Sequence, residues 1–411
     1  MSYFGLLGTN DLIKDALGRQ KVIDDYSLFH GLWTFDVPNR IWEEFSISAG
    51  TYTAISATGT KATSENGALV LSSGTTANAG VYLRSKRNPR YQPNRGHLWS
   101  SAMRFPSATA DGKRKAGVFQ QETDNGVFFE LEGDGADWTL YAVRYSNGVQ
   151  KIRQDLASYL PADFDPEKAH VYDIQFQLGS AGNYIFYIDL QEIYVNDILG
   201  TLTELSIQNP MLPSAFECVT DTTTELELIV GCVDITSEGG KQVGRQFASI
   251  STGTSLLSCD SSGVAMIAIK LPRTISYGGG TVYNSKDVIA SRISSWTRDE
   301  ASVQVYFARD VVATNLDGLT WTDFPDSSGT LQYIIGGTGN TTLDTAFNSD
   351  KASMQLVLNE WEDLEVKNIV SNPDQDIGPF YVTPGDIMIV AVQSMAGTDD
   401  NSTTLYLSEE I

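Results

Sequence analysis

The sequence predicts an all-β protein in which an antiparallel β-sandwich precedes a smaller, jelly-roll-like β-sandwich. Three observations indicate this fold class. Strand-length apolar segments recur along most of the 411 residues, Asn-Gly and Gly-Asp-Gly turns separate many of them, and few segments have helical periodicity. Two sheets with alternating side chains bury their apolar faces against each other, which gives a sandwich.

The clearest β segment covers residues 116–156. Its strand-length runs are separated by Thr-Asp-Asn-Gly, Gly-Asp-Gly and Ser-Asn-Gly, and such short turns join antiparallel neighbours. The sequence therefore predicts a four-stranded meander. Its predicted strands cover residues 117–122, 126–132, 137–145 and 149–154.

A change of composition predicts the division of the chain. Residues 1–40 form an N-terminal anchoring segment, residues 41–235 the first sandwich and residues 236–411 the second β domain. The boundary lies at Thr-Ser-Glu-Gly-Gly-Lys, residues 236–241, which has the composition of a linker. Short helices are predicted near the N-terminus and within the second domain, over residues 11–17, 285–293 and 360–367.

The overall charge excludes one class of partner. Lys and Arg number 28 and Asp and Glu number 51, so the net charge is −23. Nucleic-acid binding needs a surplus of cations, so we expect no nucleic-acid partner. No apolar run approaches the roughly 20 residues that cross a bilayer, and the N-terminus lacks the features of a signal peptide, so we expect no membrane partner either.

The chain contains three cysteines, Cys218, Cys232 and Cys259. Three are too few for a disulfide framework, and the number is odd. We interpret them as buried or free thiols of a protein made in a reducing cytosol. A disulfide between Cys218 and Cys232 across neighbouring strands is the alternative.

One short segment reverses the acidic balance. Nine cations and a single acid, Asp111, lie between Arg84 and Lys115. Two interpretations are open: solvated loops, or a docking patch for an acidic neighbour. The aromatic segment of residues 26–35 is either a first strand or an anchor to another subunit. The predicted docking residues are Arg84, Lys86, Arg87, Arg90, Arg95, Phe29, Trp33 and Phe35.

Three carboxylates recur at every second position in Glu130-Leu-Glu132-Gly-Asp134. Side chains two apart on a strand share a face, and paired carboxylates are what glycosidases use. The run resembles the Glu-x-Asp-x-Glu signature of laminarinase-type glycoside hydrolases, which have a concanavalin-like sandwich. It departs at Glu132, at Asp134 and at Gly133, which starts a turn. We therefore predict a solvated polar face and no catalytic residues.

No cofactor or metal site is predicted. The loop from Glu132 to Asp137 has oxygen ligands for Ca²⁺ but lacks EF-hand spacing, and a Gly-Asp-Gly turn needs no ion. The three histidines, His30, His97 and His170, lack metal-ligand spacing. Three aromatic residues have two open interpretations, sugar stacking or packing in a core: Trp99, Trp138 and Tyr145.

Residues 170–188 carry a family resemblance. The run His170-Val-Tyr-Asp-Ile-Gln-Phe-Gln-Leu, followed by Gly-Asn-Tyr-Ile-Phe-Tyr-Ile188, resembles strands of concanavalin/laminin-G-like domains in virion structural proteins of tailed bacteriophages. Residues 21–42 and the basic run from Arg84 to Arg95 are similar to the start of such proteins. The resemblance covers about residues 20–235, with no transferable functional residue.

The resemblance implies a non-enzymatic virion structural protein with an N-terminal concanavalin-like sandwich. Such a protein is a head decoration or fibre, or a tail or baseplate subunit, and is assembled in the host cytoplasm. The implied partners are further copies of the chain, as a homotrimer, other virion proteins and a host-surface glycan. The alternative function is a glycan-binding host-attachment module or a glycoside hydrolase.

Overall fold

The computed structural model divides the chain into two compact units, Met1–Lys241 and Gln242–Ile411. It describes residues 25–31, 33, 41–55, 61–86, 88–89, 96–121, 125–176, 183–196, 212–238, 246–253, 257–277, 280–284, 288–297, 300–324, 330–336, 341–362, 366–370, 380–395 and 399–409. The predicted helix over residues 11–17 lies outside these ranges.

The first unit contains sixteen described strands. They are β1 (Asp25–Gly31), β2 (Trp42–Ser48), β3 (Thr51–Ala54), β4 (Ala62–Glu65), β5 (Ala68–Ser72), β6 (Ala79–Ser85), β7 (His97–Arg104), β8 (Gly112–Gln120), β9 (Asn125–Gly133), β10 (Trp138–Ser146), β11 (Val149–Asp155), β12 (His170–Phe176), β13 (Tyr184–Ile188), β14 (Gln191–Asn196), β15 (Ser214–Thr220) and β16 (Glu227–Glu238).

These strands form two eight-stranded antiparallel sheets. The first sheet has the order β14-β13-β12-β7-β16-β5-β4, with β1 paired to β16, and the second has the order β11-β10-β9-β8-β15-β6-β2-β3. The predicted meander is present as β8 to β11. Asn147 and Gly148 join its last two strands with φ angles of 51° and 73°, the left-handed backbone that a tight hairpin requires. This is the predicted concanavalin-like β-sandwich.

Strand alternation places the core of the first unit between the sheets. On β9, Val127, Phe129 and Leu131 are fully buried in one large apolar cluster, and Trp42 and Trp99 pack in the same cluster. Trp99 also donates a hydrogen bond from Nε1 to Ser214 Oγ at 3.0 Å, which satisfies its buried polar atom. Of the two interpretations of Trp99, the structure therefore supports core packing.

The second unit is also mainly β. Its described elements are β17 (Gln246–Ser251), β18 (Leu257–Cys259), β19 (Val264–Lys270), β20 (Thr274–Tyr277), β21 (Gly280–Tyr283), β22 (Val288–Thr297), β23 (Ala301–Arg309), α1 (Thr314–Asp317), β24 (Thr322–Asp323), β25 (Gln332–Ile335), α2 (Thr341–Asp350), a 3₁₀ turn (Lys351–Ser353), β26 (Gln355–Glu362), β27 (Val366–Val370), β28 (Phe380–Val382), β29 (Asp386–Ser394) and β30 (Asp399–Glu409).

Two six-stranded sheets make this unit a jelly-roll-like sandwich. One has the order β17-β30-β22-β27 with β18 and β28 attached, and the other has the order β24-β25-β19-β29-β23-β26. Side chains alternate along β29. Met388, Val390 and Val392 enter the core between the sheets. Ile387 and Ile389 belong to another cluster, shared with residues of α1 and α2.

Two predicted helices in this unit are wrong. The segment 285–293 contributes to the strand β22, and the segment 360–367 contributes to β26 and β27. Their β-branched and apolar residues pair with neighbouring strands, and this tertiary pairing overrides the local signal. The helices α1 and α2 lie elsewhere, over residues whose composition is dominated by Thr, Asn and Asp.

Candidate functional site

The second sheet of the first unit carries charges on the face that points away from the core. On β9, Phe128, Glu130 and Glu132 alternate with the core residues, so they lie on this other face. We call it the charged face. It comprises Glu43, Arg84, Lys113, Lys115, Glu130, Glu132, Arg153 and Glu217, with Tyr52, Tyr82 and Tyr141 between them.

The charged face also carries apolar side chains on the same strands. A second, smaller apolar cluster lies there, separate from the main core, and includes Phe45, Phe128 and Val143. Lys113 on β8 pairs with Glu132 on β9, and their side chains are 42% and 32% exposed. These two residues are therefore accessible charges of the face.

The strand register draws four residues into a row across the sheet. Tyr141 on β10 pairs with Glu130 on β9, Glu130 pairs with Lys115 on β8, and Lys115 pairs with Glu217 on β15. Neighbouring strands lie about 4.8 Å apart, so the row spaces an aromatic ring, an anion, a cation and an anion at regular intervals. The sequence separates these residues by up to about 100 positions, so only the topology brings them together.

Glu217 lies at the centre of a bonded group. Its carboxylate is 2.8 Å from Lys115 Nζ and accepts a hydrogen bond from the Tyr52 hydroxyl at 3.1 Å and another from the Gln121 amide. Burial alone lowers the pKa of Lys115, but the contacts with Glu217 outweigh it and raise that pKa. Lys115 is therefore a cation near neutral pH.

Arg153, on β11, joins the two glutamates of β9. Its Nε donates to Glu130 at 3.0 Å, and its terminal nitrogen contacts both Glu130 and Glu132. Burial raises the pKa of Glu132, yet the hydrogen bonds from Arg153 and Lys113 outweigh it and hold that pKa below its usual value. Glu132 is therefore a carboxylate near neutral pH.

Asp134 does not belong to the charged face. It lies in the turn after β9, where its side chain accepts hydrogen bonds from the backbone N–H groups of Ala136 at 3.0 Å and Asp137 at 2.8 Å. These bonds lower the pKa of the exposed Asp134. The three-carboxylate run therefore contributes two residues to the face, Glu130 and Glu132.

The described residues contain no group of His, Cys, Asp and Glu side chains that could hold a metal ion. His97 stacks on Phe176, whereas His170 is bonded to Asp189 at 2.6 Å. Cys218, Cys232 and Cys259 are free thiols. Within the described ranges, no helix is long and apolar enough to cross a membrane.

Two of the predicted docking residues are buried. Arg84 is 1% exposed and pairs with Glu43 at 3.1 Å, and Trp33 is 1% exposed and packs on Trp42 at a ring distance of 4.7 Å. Both have internal contacts, so neither is available to a docking partner. Lys86 is half-buried.

The other predicted docking residues are only partly described. Phe29 lies on β1, paired with Ile235 of β16. Four of the predicted residues fall outside the described ranges: Arg87, Arg90, Arg95 and Phe35. For them the docking patch stays a prediction.

Sequence reasoning missed three charged residues of the charged face, Glu43, Arg153 and Glu217. Glu217 carried a signal, because it is a single acid inside the apolar strand Ser-Ala-Phe-Glu-Cys-Val-Thr. Arg153 gave a weaker signal. Most positions of β11 are polar, so its sequence does not distinguish one face of the strand from the other. In each case the functional partner lies on another strand.

Among the comparisons with known proteins, only the comparison with solved structures finds proteins similar to this chain. No family model matches the sequence, and no curated protein matches it. A laminarinase catalytic domain from Thermotoga petrophila RKU-1 is 16% identical, with a TM-score of 0.38 over 53% of this chain and 100% of that chain. A Streptomyces sioyaensis endo-1,3-β-glucanase is 13% identical, with a TM-score of 0.41 over 53% of this chain and 97% of that chain.

A third structure is described as an immunostimulatory antigen and pseudo β-1,3-glucanase of Mycobacterium tuberculosis. It is 13% identical, with a TM-score of 0.39 over 52% of this chain and 99% of that chain. These values express a likeness of fold, and they bring no activity to this chain.

The comparisons correct two predictions. The structural neighbours are glucanases, other glycanases and a lyase, and nothing among them indicates a virion component. The predicted non-enzymatic virion structural protein is therefore wrong, and the exclusion of an enzyme is wrong with it. The resemblance of residues 170–188 to phage proteins reflected the concanavalin-like fold, whose strand pattern is shared by proteins of different function.

Proposed function

We propose that the first unit recognises a glycan on the charged face. The observation that carries the proposal is the cross-strand row of Tyr141, Glu130, Lys115 and Glu217. Sugars present hydroxyl groups that both donate and accept hydrogen bonds. A row of alternating carboxylates and cations beside an aromatic ring offers complementary groups in close succession.

The balance of charge favours an uncharged glycan. Glu130, Glu132 and Glu217 are matched one for one by cations that contact them: Lys113, Lys115 and Arg153. The charged face is thus locally neutral in a chain whose net charge is −23. A polyanion would meet no local excess of cations there, and the remainder of the chain would repel it.

The exposure of the side chains differs along the charged face. Those of Lys113 and Glu132 are 42% and 32% exposed, whereas those of Glu130 and Glu217 are only 8% and 3% exposed. A sugar ring would therefore contact the exposed pair first and the neighbouring row after it. Tyr52, 37% exposed on β3, would add a second aromatic surface.

Glycoside cleavage is the second candidate function. Glu130 and Glu132 lie on the same face of β9, and two neighbouring carboxyl groups are the minimum equipment of a glycosidase. Glu132, with its lowered pKa, would act as the ionised carboxylate. Glu130 would have to act as the acid, which requires that it leave its contacts with Arg153.

A binding experiment tests the first candidate. Immobilised laminarin, lichenan, mucin O-glycan and alginate would be titrated with the intact chain, because these cover the chemistry of the structural neighbours. We expect binding to an uncharged glucan, weakened at least about tenfold in K115M, with alginate the weakest ligand. E192Q, on β14 of the other sheet, is the control. An absence of binding to every glycan would refute the proposal.

A separate assay addresses cleavage. Release of reducing ends from the bound glycan would be followed for the intact chain and for E130Q, E132Q and E217Q. We expect E130Q and E132Q to lose at least about a hundredfold of any activity, because each removes a group needed in the transition state. Activity that survives both substitutions would place the chemistry elsewhere.

A further inference from the structure

The guanidinium of Arg153 covers the part of the charged face that lies over β9 and β10. It lies 3.5 Å from the centroid of the Tyr141 ring. From this position it also contacts Glu130 and Glu132. The side chain of Arg153 therefore stacks on one aromatic ring and contacts two carboxylates at the same time.

A sugar would need these same groups. Apolar C–H faces of sugar rings stack on aromatic rings, and sugar hydroxyls donate to carboxylates. A guanidinium stacked on Tyr141 excludes a second planar partner from that side of the ring. Its hydrogen bonds to Glu130 and Glu132 occupy acceptor positions that sugar hydroxyls would use.

Arg153 lies on an edge strand of the sheet, and its side chain is partly exposed. In the sheet order, β11 stands at the end, paired with β10 through a register shift between Arg144 and Tyr145. The side chain of Arg153 is 26% exposed, so the displaced guanidinium could be hydrated. Lys113 and Lys115 would stay beside the carboxylates and keep them from being uncompensated charges.

We propose that Arg153 is an internal competitor for the glycan: its guanidinium occupies the stacking position on Tyr141 and the acceptors of Glu130 and Glu132, and a glycan binds by displacing it. The inference rests on the proposed glycan-binding function. It makes Arg153 a positioning residue that controls access, and it separates Arg153 from Lys113 and Lys115, which would remain in contact with the ligand.

The binding assay tests this inference, because removing Arg153 should increase the affinity for the glycan. R153A should bind the uncharged glucan about three- to tenfold more tightly than the unchanged chain, because the ligand no longer displaces a cation–π contact and two ion pairs. R153K, which keeps the charge but cannot bridge two carboxylates and stack, should gain less. R104A, an exposed arginine of β7 in the first sheet, should leave affinity unchanged.

Each other result decides against the inference. Weaker binding by R153A would mean that Arg153 itself contacts the glycan, and unchanged binding would mean that the ligand does not use Tyr141. In both cases the intact chain still binds, so the proposed function survives. If neither the intact chain nor R153A binds any glycan, the proposed function and the inference both fail.

A second measurement does not depend on the glycan. The pKa of Glu132 would be followed by carboxyl carbon NMR in the intact chain, R153A and R104A. We expect the Glu132 pKa to rise in R153A and to stay constant in R104A, because the guanidinium stabilises the ionised form. A constant pKa in R153A would show that the guanidinium does not hold this carboxylate, and would overturn the inference even in a folded variant.

Discussion

In each unit, one sheet packs one of its faces into the sandwich core. The opposite face of that sheet carries different kinds of side chain in the two units. In the second unit, the second face of the sheet β19-β29-β23 is apolar: Ala268 and Ile389 pack with Leu316 of α1 and Phe347 of α2. In the first unit, the second face of the sheet carries the charged row with Glu130 and Lys115. The same architecture thus supports an apolar face packed against helices in one unit, and in the other unit a face that combines a charged row with a smaller apolar cluster.

The difference concerns how the side chains on each second face are accommodated. Apolar side chains on a second face require a cover, and two helices supply it in the second unit. Charged side chains on a second face must instead be paired with one another, because an unpaired buried charge is costly. In the first unit the charges are paired in this way, and this is the face for which we propose a ligand.

Removing the apolar cover should produce the largest effect on stability. Phe347→Ala in α2 deletes a fully buried ring that meets Tyr306 at a centroid distance of 5.2 Å. The resulting cavity should cost the second unit about 3–5 kcal/mol of unfolding free energy. Urea unfolding checks this value, with Asn348→Ala, on the exposed side of the same helix, as the control. A loss below about 1 kcal/mol would mean that the helix does not hold this face.

Breaking the most deeply buried charge pair should have the next largest effect. Arg84→Ala leaves Glu43, 4% exposed at its side chain, without its guanidinium and should cost about 3 kcal/mol. The double variant Arg84→Met with Glu43→Met removes both charges and should recover much of this loss. Denaturant unfolding of the two variants measures the difference. Equal losses would show that packing, and not the charge, dominates at this position.

The Lys115–Glu217 pair should give a smaller effect that depends on pH. The pKa of Lys115 is raised in the folded state, so its stabilisation is complete below the unfolded pKa of about 10.4 and is lost as pH rises through the folded pKa. Lys115→Met should cost about 2 kcal/mol at pH 8. The difference in unfolding free energy between the two proteins should stay constant from pH 8 to about pH 10 and should shrink above about pH 10.4. A difference that shrinks below about pH 10 would contradict the assignment.

The partly exposed Glu132 should contribute least. The pKa of Glu132 is lowered in the folded state, so its contribution is present above the unfolded pKa of about 4.3 and is lost as pH falls through the folded pKa. Because Glu132 is partly exposed, Glu132→Gln should cost less than about 1 kcal/mol at pH 7. Thermal melts at pH 7 and pH 3 should show a difference only at pH 7.

Part of the candidate site could be predicted from the sequence. The alternation of Phe128, Glu130 and Glu132 against Val127, Phe129 and Leu131 fixes which side chains share a face of β9, and Gly133 correctly separates Asp134 from them. The partners on the face could not be predicted, because Arg153 and Glu217 reach Glu130 and Lys115 through strand pairings that local patterns do not encode.

The basic segment between Arg84 and Lys115 also shows that the sequence alone does not reveal which charges are paired. The density of cations between Arg84 and Lys115 suggested a docking patch, yet Arg114 is fully buried and donates to the carbonyl oxygens of Pro106 at 2.6 Å and Ser107 at 3.1 Å. Lys113 and Lys115 are on the charged face, paired with Glu132 and Glu217. Three of the described cations of this segment, Arg84, Lys113 and Lys115, are therefore paired with acids on neighbouring strands.

The sequence by itself determined the all-β fold class, the four-stranded meander, predicted over residues 117–154, and the two-faced character of its strands. These follow from side-chain alternation and turn chemistry. Only the tertiary structure decided which strands are neighbours. The ion pair between Lys115 and Glu217 joins the paired strands β8 and β15, and the ion pair between Arg153 and Glu130 crosses from β11 over β10 to β9. Because both depend on the order of the strands in the sheet, the charged face is a property of the topology.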